Sequence, residues 1–223
     1  QFINILDRVC HIKLKRGEVF PARAYERAKD YIILNANSIK SIDDLKEVKY
    51  IGKSALNILQ EYCDTGTVTM IENAKSDPRY ILSNVYGIGP KKSKDLVMNH
   101  DIKSIDDLRS RQDLLNTNQK LGLKYYDDIM KRIPRNEIIQ YERELTTAFN
   151  LLNSSTATFQ IVGSYRRCAK DSGDIDIIVT DTNPNSTILE EFLDLLIQRK
   201  LLIEVLSRGK VKCLGISQLR RKP

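Results

Sequence analysis

The sequence predicts a multidomain chain that is α-helical in its first part and α+β in its last part. Apolar residues recur at helical spacing through most of residues 1–133. Two glycine-containing turns, at 48–54 and 83–89, each separate a pair of these helices. A β-branched run at 158–162, a glycine turn and an alternating Asp-x-Asp segment then indicate strands. With 223 residues and 41% apolar side chains, the chain can fill two or three small cores.

The first predicted domain, residues 1–72, is made of short helices, the last of which stops at Gly66. The turn between its last two helices resembles a helix-hairpin-helix, but Tyr50 stands where the first glycine is normally found. An ordinary corner between packed helices is the alternative interpretation. The apolar spacing places the helices at 2–13, 22–35, 42–48 and 53–63.

The second predicted domain, residues 73–134, is also helical and contains a clearer hairpin. Gly87 and Gly89 flank an isoleucine between two helices, and the second helix begins with several lysines. Glycines let the backbone come close to a sugar-phosphate chain, and N–H groups at a helix start can bind a phosphate. Such contacts position a nucleic acid without reading its bases.

An identical heptapeptide, Ile-Lys-Ser-Ile-Asp-Asp-Leu, occurs at residues 39–45 and 102–108. Serine followed by aspartates predicts an N-capped helix in both copies, with Ser41 and Ser104 as the caps. We interpret the repeat as a structural solution used twice.

The third predicted domain, residues 135–223, combines helices with strands, and Pro134 marks its start. A helix at 136–152 precedes a strand at 158–162, which turns at Gly163 into a short helix. The elements predicted after it are a strand at 174–180, a helix at 188–199 and a hairpin of 201–206 with 210–216 that turns at 207–210.

Asp174 and Asp176 are candidate metal ligands. In an extended strand they lie on one face, about 6.6 Å apart at ~3.3 Å per residue, and can bind the Mg²⁺ ions that assist displacement at phosphorus. The Ser164 hydroxyl, the Arg167 guanidinium and the N–H groups of the turn suit triphosphate oxygens. A polar turn whose acids are merely solvated is the alternative. Three residues are expected to face the core: Ile175, Ile177 and Val179.

These motifs resemble a known family. Gly163-Ser-Tyr-Arg-Arg167 followed by Ser172-Gly-Asp-Ile-Asp176 is similar to the palm signature of family X DNA polymerases. The chain from Val19 onward resembles the polymerase β type, and residues 121–135 resemble that family's linker into the palm. The resemblance implies two helical helix-hairpin-helix domains followed by a partial nucleotidyltransferase palm.

The resemblance also implies roles for individual residues. Asp174 and Asp176 would be the catalytic carboxylates and would bind two Mg²⁺ ions. The nucleotide-binding residues would be Ser164, Arg167, Gly173 and Arg132. Backbone carbonyls around Ser83, Val85 and Ile88 would hold a monovalent cation shared with a DNA phosphate. The full DNA-binding set would be Ser83, Val85, Gly87, Ile88, Gly89, Lys46, Val48, Ile51, Arg208, Lys210 and Lys212.

The expected function is template-directed gap filling in DNA repair, including base excision repair, with dNTPs added to a primer 3′ end on gapped or nicked DNA. A monomer without a membrane partner is expected. Four scattered cysteines favour a reduced, intracellular protein, nuclear in a eukaryotic cell. Two alternatives stay open. A non-catalytic module would bind gapped DNA without incorporation, and a template-independent nucleotidyltransferase would incorporate whatever the template base.

The N-terminal domain resembles the family's deoxyribose-phosphate lyase domain, but we expect that activity to be lost. The reaction needs a lysine amine to form a Schiff base, and Ile58 stands at the matching position. Lys53 is the alternative nucleophile. Phosphate-pocket positions also differ, with Phe20, Pro21 and Ser54 where His or Lys is expected, while Tyr25 and Lys46 are retained.

Residues 199–223 account for the net charge of +7, because they hold eight Lys or Arg against the single acid Glu204. A basic segment beside carboxylates suits a bound polyanion, although a solvated basic surface is the alternative. The chain ends at Arg220-Arg-Lys-Pro223, and we expect the natural chain to be longer. The resemblance implies a third aspartate just beyond, so these residues alone are predicted to bind nucleotide without efficient chemistry.

Overall fold

The computed structural model describes residues 1–219, and the basic residues Arg220, Arg221 and Lys222 lie outside the described part. The chain forms two compact units, Gln1–Lys124 and Tyr125–Pro223. The first is helical and the second mixes helices with short strands, which confirms the predicted fold class. Within residues 1–219, every helix is too short or too polar to cross a membrane.

The first unit is built from short helices with clear end signals. Gly66 adopts a left-handed conformation (φ 72°) and ends the helix Lys53–Thr65, while Asp77 caps the helix Pro78–Leu82 through the amide of Arg79. The helices are α1 (Phe2–Lys15), α2 (Val19–Leu34), α3 (Lys53–Thr65), α4 (Thr69–Ser76), α5 (Pro78–Leu82), α6 (Pro90–His100), α7 (Ile105–Ser110) and α8 (Thr117–Lys124), with 3-10 turns at Asp43–Leu45 and Gln112–Leu114.

The core of this unit forms where α1 packs against α2, α3 and α4. Leu6, Val9, Ala28, Leu45 and Leu59 are completely buried. Each buried leucine or valine side chain stabilises the fold by about 1.5–3 kcal/mol through removal of apolar surface from water. The N-terminal helices are therefore held by an ordinary apolar core.

The C-terminal end of α1 also packs on α5, far along the chain. The Arg16 guanidinium donates to the Asp77 carboxylate at 3.1 Å, and the Tyr80 hydroxyl lies 3.3 Å from Nδ1 of His11. These contacts bring the end of the first helix to the start of the second hairpin.

The two heptapeptide copies fold differently. In the second, Ser104 and Asp107 form a capping box at the start of α7, as predicted. In the first, Asp44 accepts hydrogen bonds from the amides of Lys40 and Ser41, but only the 3-10 turn follows. The predicted helix at 42–48 is therefore wrong, because the chain must enter the first hairpin within three residues.

The described part of the second unit, residues 125–219, contains three antiparallel strand pairs and two long helices. The elements in chain order are α9 (Tyr126–Ile129), β1 (Ile133–Pro134), α10 (Arg135–Asn150), β2 (Ala157–Ile161), α11 (Gly163–Arg166), β3 (Asp171–Ser172), β4 (Ile177–Asp181), α12 (Ile188–Gln198), β5 (Leu202–Arg208) and β6 (Cys213–Ser217). The strands pair as β1 with β3, β2 with β4, and β5 with β6.

Its core is organised by three phenylalanines. Phe149 on α10 contacts Phe159 on β2 and Phe192 on α12, with ring centroids 4.9 and 5.2 Å apart. Such aromatic pairs contribute about 0.5–1.5 kcal/mol beyond burial alone. They fix both helices against the β2–β4 pair, which carries the candidate site at one end.

The strand predicted at 174–180 begins later than expected, at Ile177. Residues 171–172 pair with β1, whereas the chain from Ile177 onward pairs with β2. Asp174 and Asp176 therefore lie in the segment where the chain changes partner. Ile175 and Val179 pack against the core as expected, but Ile177 is 36% exposed because it stands at the last rung of a two-stranded pair.

The hairpin of β5 and β6 turns at 209–212 rather than at 207–210. Arg208 still pairs with Cys213, and the Gly209 amide donates to the Lys212 carbonyl at 2.8 Å. A register shift in the ladder lets β5 run two residues further than predicted. Lys210 and Lys212 consequently lie in the exposed turn.

Candidate functional site

At the turn after β2, the Asp176 carboxylate lies against the backbone of Gly163. The Val162 amide donates to the Asp176 carbonyl at 2.8 Å, so the two segments stay together beyond the ladder. Gly163 then adopts φ +60°, and a Cβ at this position would lie 2.1 Å from Oδ2 of Asp176. Only glycine allows both this conformation and this approach. The predicted turn and one predicted metal ligand are thus brought into direct contact.

Asp174 and Asp176 form an electrostatically strained pair. Partial burial raises the pKa of Asp174, the neighbouring Asp176 charge raises it further, and Arg132 opposes the rise. Two carboxylates that repel each other favour a bound cation, and their oxygen atoms are the donors that Mg²⁺ prefers. The described residues contain no cluster of three or more metal-binding side chains.

Two serines lie together beside this pair. The Ser164 hydroxyl donates to the Ser172 hydroxyl at 2.7 Å, and Ser172 is completely buried. Ser172 belongs to β3, which pairs with β1 and thereby fixes its position. The sequence analysis named Ser164 but missed this role of Ser172, whose only signal was the Ser-Gly pair before Asp174.

Arg132 lies beside Gly173. A Cβ at Gly173 would lie 3.1 Å from Nη1 of Arg132. The Nε and Nη2 groups donate to Oδ1 of Asp171 at 3.0 and 2.8 Å, and Nη2 also donates to the Asp171 carbonyl at 3.0 Å. Asp171 therefore holds one edge of the guanidinium and leaves Nη1 on the side of Gly173.

Arg167 follows the single turn of α11 and is exposed. Within residues 1–219 its guanidinium makes no ion pair or side-chain hydrogen bond. Since the Ser164 hydroxyl donates to Ser172, Arg167 is a donor of this turn that stays unpaired within the described residues. The turn is thus suited to an anionic group.

Side chains of α10 stabilise this turn through contacts that were not predicted from the sequence. Arg135 donates to the carbonyls of Tyr165 and Ala169 at 2.8 and 3.4 Å and stacks over the Tyr165 ring at 4.3 Å. The Tyr165 hydroxyl donates to Glu142 at 2.7 Å. Helix α10, which carries Arg135 and Glu142, thereby fixes the orientation of α11.

The predicted DNA-binding residues of the β5–β6 hairpin differ in their surroundings. Arg208 donates to the Asp194 carboxylate at 2.6 Å and to the Glu190 carbonyl at 3.3 Å, so its charge is engaged by α12. Lys210 and Lys212 are exposed and have no ion pair within the described part of the chain. The two lysines, rather than Arg208, are open to a polyanion.

The second hairpin has the geometry that its glycines predicted. Gly87 has φ +82°, and the Ile88 amide donates to the Val85 carbonyl at 3.0 Å. Gly89 then caps α6 in an extended conformation. In residues 1–219 the amides of Gly87 and Gly89 donate to no protein acceptor, so both remain available to a phosphate.

The first hairpin repeats part of this pattern. The Ile51 amide donates to the Val48 carbonyl at 3.0 Å, matching the bond in the second hairpin. Tyr50 is absent from the residues with positive φ, whereas its counterpart Gly87 is among them. The first hairpin therefore follows a path that tolerates a side chain. Lys46, predicted to contact DNA here, is paired with Asp43.

The position expected for a lyase nucleophile lies in the apolar core. Ile58 is 8% exposed and belongs to the core of the first unit. Phe20 is 82% exposed and Lys53 stands at the exposed start of α3. A pocket of about 530 Å³ lies away from these positions and is lined by residues of α7 and α8 such as Arg109, Lys120 and Leu121.

The chain is similar to DNA polymerases in both parts that carry these features. The model of a family described as the DNA polymerase beta palm matches residues 132–223, and that of the fingers domain of DNA polymerase lambda matches residues 80–130. The first match contains the carboxylate pair and the glycine turn. The second contains the Gly87 hairpin.

Individual relatives are similar over most of the chain. DNA polymerase lambda of Arabidopsis thaliana is 32% identical over 202 residues, which are 88% of this chain and 37% of that protein. DNA polymerase lambda of Rattus norvegicus is 25% identical over 92% of this chain and 37% of its own length. The DNA polymerase type-X family protein pol4 of Schizosaccharomyces pombe is 24% identical over 83% and 37%. The chain thus spans little more than a third of these curated relatives.

Proposed function

The chain belongs to the family X DNA polymerases of the polymerase β type, and from that premise we propose that it acts in template-directed filling of short DNA gaps. The observation that carries this proposal is the contact of Asp176 with the backbone of Gly163. It joins a carboxylate pair that favours a bound cation to a turn that carries Arg167, whose guanidinium is unpaired within residues 1–219. A nucleotide triphosphate with Mg²⁺ satisfies both halves of such a site.

Asp174 and Asp176 are the residues that would hold Mg²⁺. When bound, the metal neutralises phosphate charge and steadies the attacking and leaving oxygens at phosphorus. The position of Asp176 is fixed by the backbone hydrogen bond from Val162 to Asp176 and by the contact of its carboxylate with Gly163. Their mutual repulsion, which raises the pKa of Asp174, is relieved when a cation binds.

The triphosphate is bound by donors from two segments. Arg167, which follows α11, offers its guanidinium, and Arg132 offers Nη1 beside Gly173. Ser164 offers its hydroxyl once that group is released from Ser172. Charge-assisted hydrogen bonds of this kind are roughly twice as strong as neutral ones. Asp171 and Ser172 act on these donors rather than on the ligand, since each is hydrogen-bonded to one of them. The site therefore orients the triphosphate before any chemistry occurs.

In this proposal the protein binds DNA through its sugar-phosphate backbone. The amides of Gly87 and Gly89 suit one phosphate, and Lys210 and Lys212 suit others. Because these contacts read no bases, sequence information comes from pairing of the incoming dNTP with the template. We infer preferential binding to gapped or nicked duplex, an intracellular location in repair, and loss of lyase activity, the last supported by the burial of Ile58.

Primer extension by the natural full-length protein tests this function. The substrate is a duplex with a one-nucleotide gap, and each of the four dNTPs is offered separately with Mg²⁺. We expect incorporation of the complementary dNTP only. Incorporation that ignores the template base would assign the site to template-independent transfer. Tight gap binding without any incorporation would assign the chain to a non-catalytic module.

A further inference from the structure

A lysine from the first helix reaches the second hairpin. Nζ of Lys15, in the last turn of α1, donates to the backbone carbonyl of Ser83 at 2.5 Å. Ser83 begins the hairpin and its side chain is completely buried. The Ser83 carbonyl, at the start of this hairpin, therefore has a positively charged group of the protein bound to it.

The position of this ammonium is fixed by its surroundings. The flanking contacts of Arg16 with Asp77 and of His11 with Tyr80 hold the end of α1 against α5. Lys15 has no carboxylate partner among the described residues, and partial burial lowers its pKa. An ammonium without an acidic partner retains donors for an anion, because it has three N–H groups and only one is bound to Ser83.

The sequence analysis expected a monovalent cation on the carbonyls around Ser83, Val85 and Ile88. The structure places an ammonium group of the protein itself at one of these carbonyls, that of Ser83. The Ser83 carbonyl already accepts from an ammonium, and the Val85 carbonyl accepts the Ile88 amide. A second cation on Ser83 would lie next to the Lys15 charge, and like charges at this separation repel strongly where water is partly excluded.

We propose that the Lys15 ammonium replaces a free monovalent cation at the second hairpin and contacts the DNA phosphate that this hairpin binds. The inference rests on the proposed DNA-binding function. It gives the N-terminal helix a role in DNA binding that is independent of lyase chemistry. The affinity of this hairpin for DNA should then not depend on which monovalent cation the solution contains.

The test compares gapped-DNA affinity of the natural protein in K⁺, Na⁺ and tetramethylammonium chloride at one ionic strength. Tetramethylammonium is too bulky for a site made of backbone carbonyls. We expect wild-type dissociation constants in the three salts to agree within about twofold. Lys15→Met should weaken binding by roughly tenfold in tetramethylammonium and recover most of that loss in K⁺ or Na⁺.

Lys75→Met is the matched control, because it removes one lysine of the same unit that is paired on the surface with Glu72. It should leave the pattern of the three salts unchanged. Lys15→Gln, which keeps a hydrogen-bond donor without the charge, should behave like Lys15→Met, and thermal unfolding checks that both variants fold.

The wild-type measurement decides the inference even if a variant unfolds. A wild-type affinity that changes severalfold with cation identity overturns the role of Lys15 and leaves DNA binding intact. Absence of any gapped-DNA binding by the wild-type protein overturns the proposed function, and this inference with it.

Discussion

The Asp176 carboxylate occupies the space that a side chain at residue 163 would need. A Cβ on Gly163 would lie 2.1 Å from Oδ2 and 3.1 Å from Cγ of Asp176. The glycine is also left-handed at φ +60°, where an L-residue costs about 1–3 kcal/mol. The turn and the metal-binding carboxylate therefore depend on each other.

Gly163→Ala should displace Asp176 and lower the rate of nucleotide incorporation at low Mg²⁺. We expect a loss of about 100-fold, equivalent to ~2.7 kcal/mol of transition-state stabilisation, with partial recovery at higher Mg²⁺. The Mg²⁺ dependence of single-turnover incorporation measures this effect. Gly209→Ala is the control, because its nearest neighbour would lie 3.7 Å away. A Mg²⁺ dependence identical to wild type in Gly163→Ala would contradict the assignment.

Asp171 should act on the triphosphate through Arg132. Asp171→Asn removes the charge that holds Nε and Nη2 and leaves only the bond of Nη2 to the backbone carbonyl secure, so we expect dNTP affinity to fall by roughly tenfold, about 1.4 kcal/mol. Equilibrium titration of dNTP and Mg²⁺ onto the gapped-DNA complex measures this loss.

A double variant separates positioning from direct contact. If Asp171 works only by holding Arg132, then Arg132→Ala combined with Asp171→Asn should bind no more weakly than Arg132→Ala alone. Tighter dNTP binding by Asp171→Asn would instead show that Asp171 competes with the triphosphate for the guanidinium.

Lys210 and Lys212 should contribute the salt dependence of DNA binding. Each lysine that contacts a phosphate adds about 0.9 to the slope of log affinity against log salt. Lys210→Gln and Lys212→Gln should each reduce the slope by roughly that amount. Lys131→Gln, which removes a lysine paired with Asp128 in the same unit, should leave the slope unchanged. Slopes equal to wild type in both hairpin variants would remove this hairpin from the DNA interface.

The cap formed by the second heptapeptide predicts how low pH affects the start of α7. Hydrogen bonds from the Lys103 amide and from Ser104 lower the pKa of Asp107 below its ordinary value of 3.8. A carboxylate with a depressed pKa stabilises the fold above its unfolded value and loses that contribution as pH falls through the folded value. The protection of the Lys103 and Ser104 amides against hydrogen exchange, relative to their intrinsic rates, should therefore fall below about pH 4.

In Asp107→Asn the Lys103 and Ser104 amides should exchange quickly at neutral pH and lose this pH response. In Asp106→Asn the same amides should retain it. The control is informative because Asp106 pairs with Arg109 rather than with the backbone amides at the cap. Equal protection in Asp107→Asn and wild type at neutral pH would contradict the capping role.

The sequence predicted features that depend on near neighbours. Gly66 ended its helix, Gly87 adopted a positive φ, and the run predicted as a strand at 158–162 formed one at 157–161, because each reflects local backbone preference. Ser104 capped a helix, yet the identical serine at 41 did not, since the hairpin that follows the first copy leaves no room for one.

Features that depend on distant partners escaped the sequence analysis. Asp174 was expected inside a strand, but residues 171–172 pair with β1 and the chain changes partner before Ile177. The bonds of Arg135 with Tyr165 and of Lys15 with Ser83 join residues 30 and 68 positions apart. Side-chain type alone carries no signal for such pairs.

The most direct test of the account is metal-dependent incorporation by carboxylate variants of the natural full-length protein. Single-turnover extension of a primer across a one-nucleotide gap is followed with wild type, Asp174→Ala and Asp176→Ala, alongside gapped-DNA affinity. The account predicts that each variant loses about 10³-fold or more in rate, at least ~4 kcal/mol, while DNA affinity stays within about twofold of wild type. Incorporation by either variant at a rate near that of wild type would contradict the assignment of this pair as the Mg²⁺ ligands of nucleotidyl transfer.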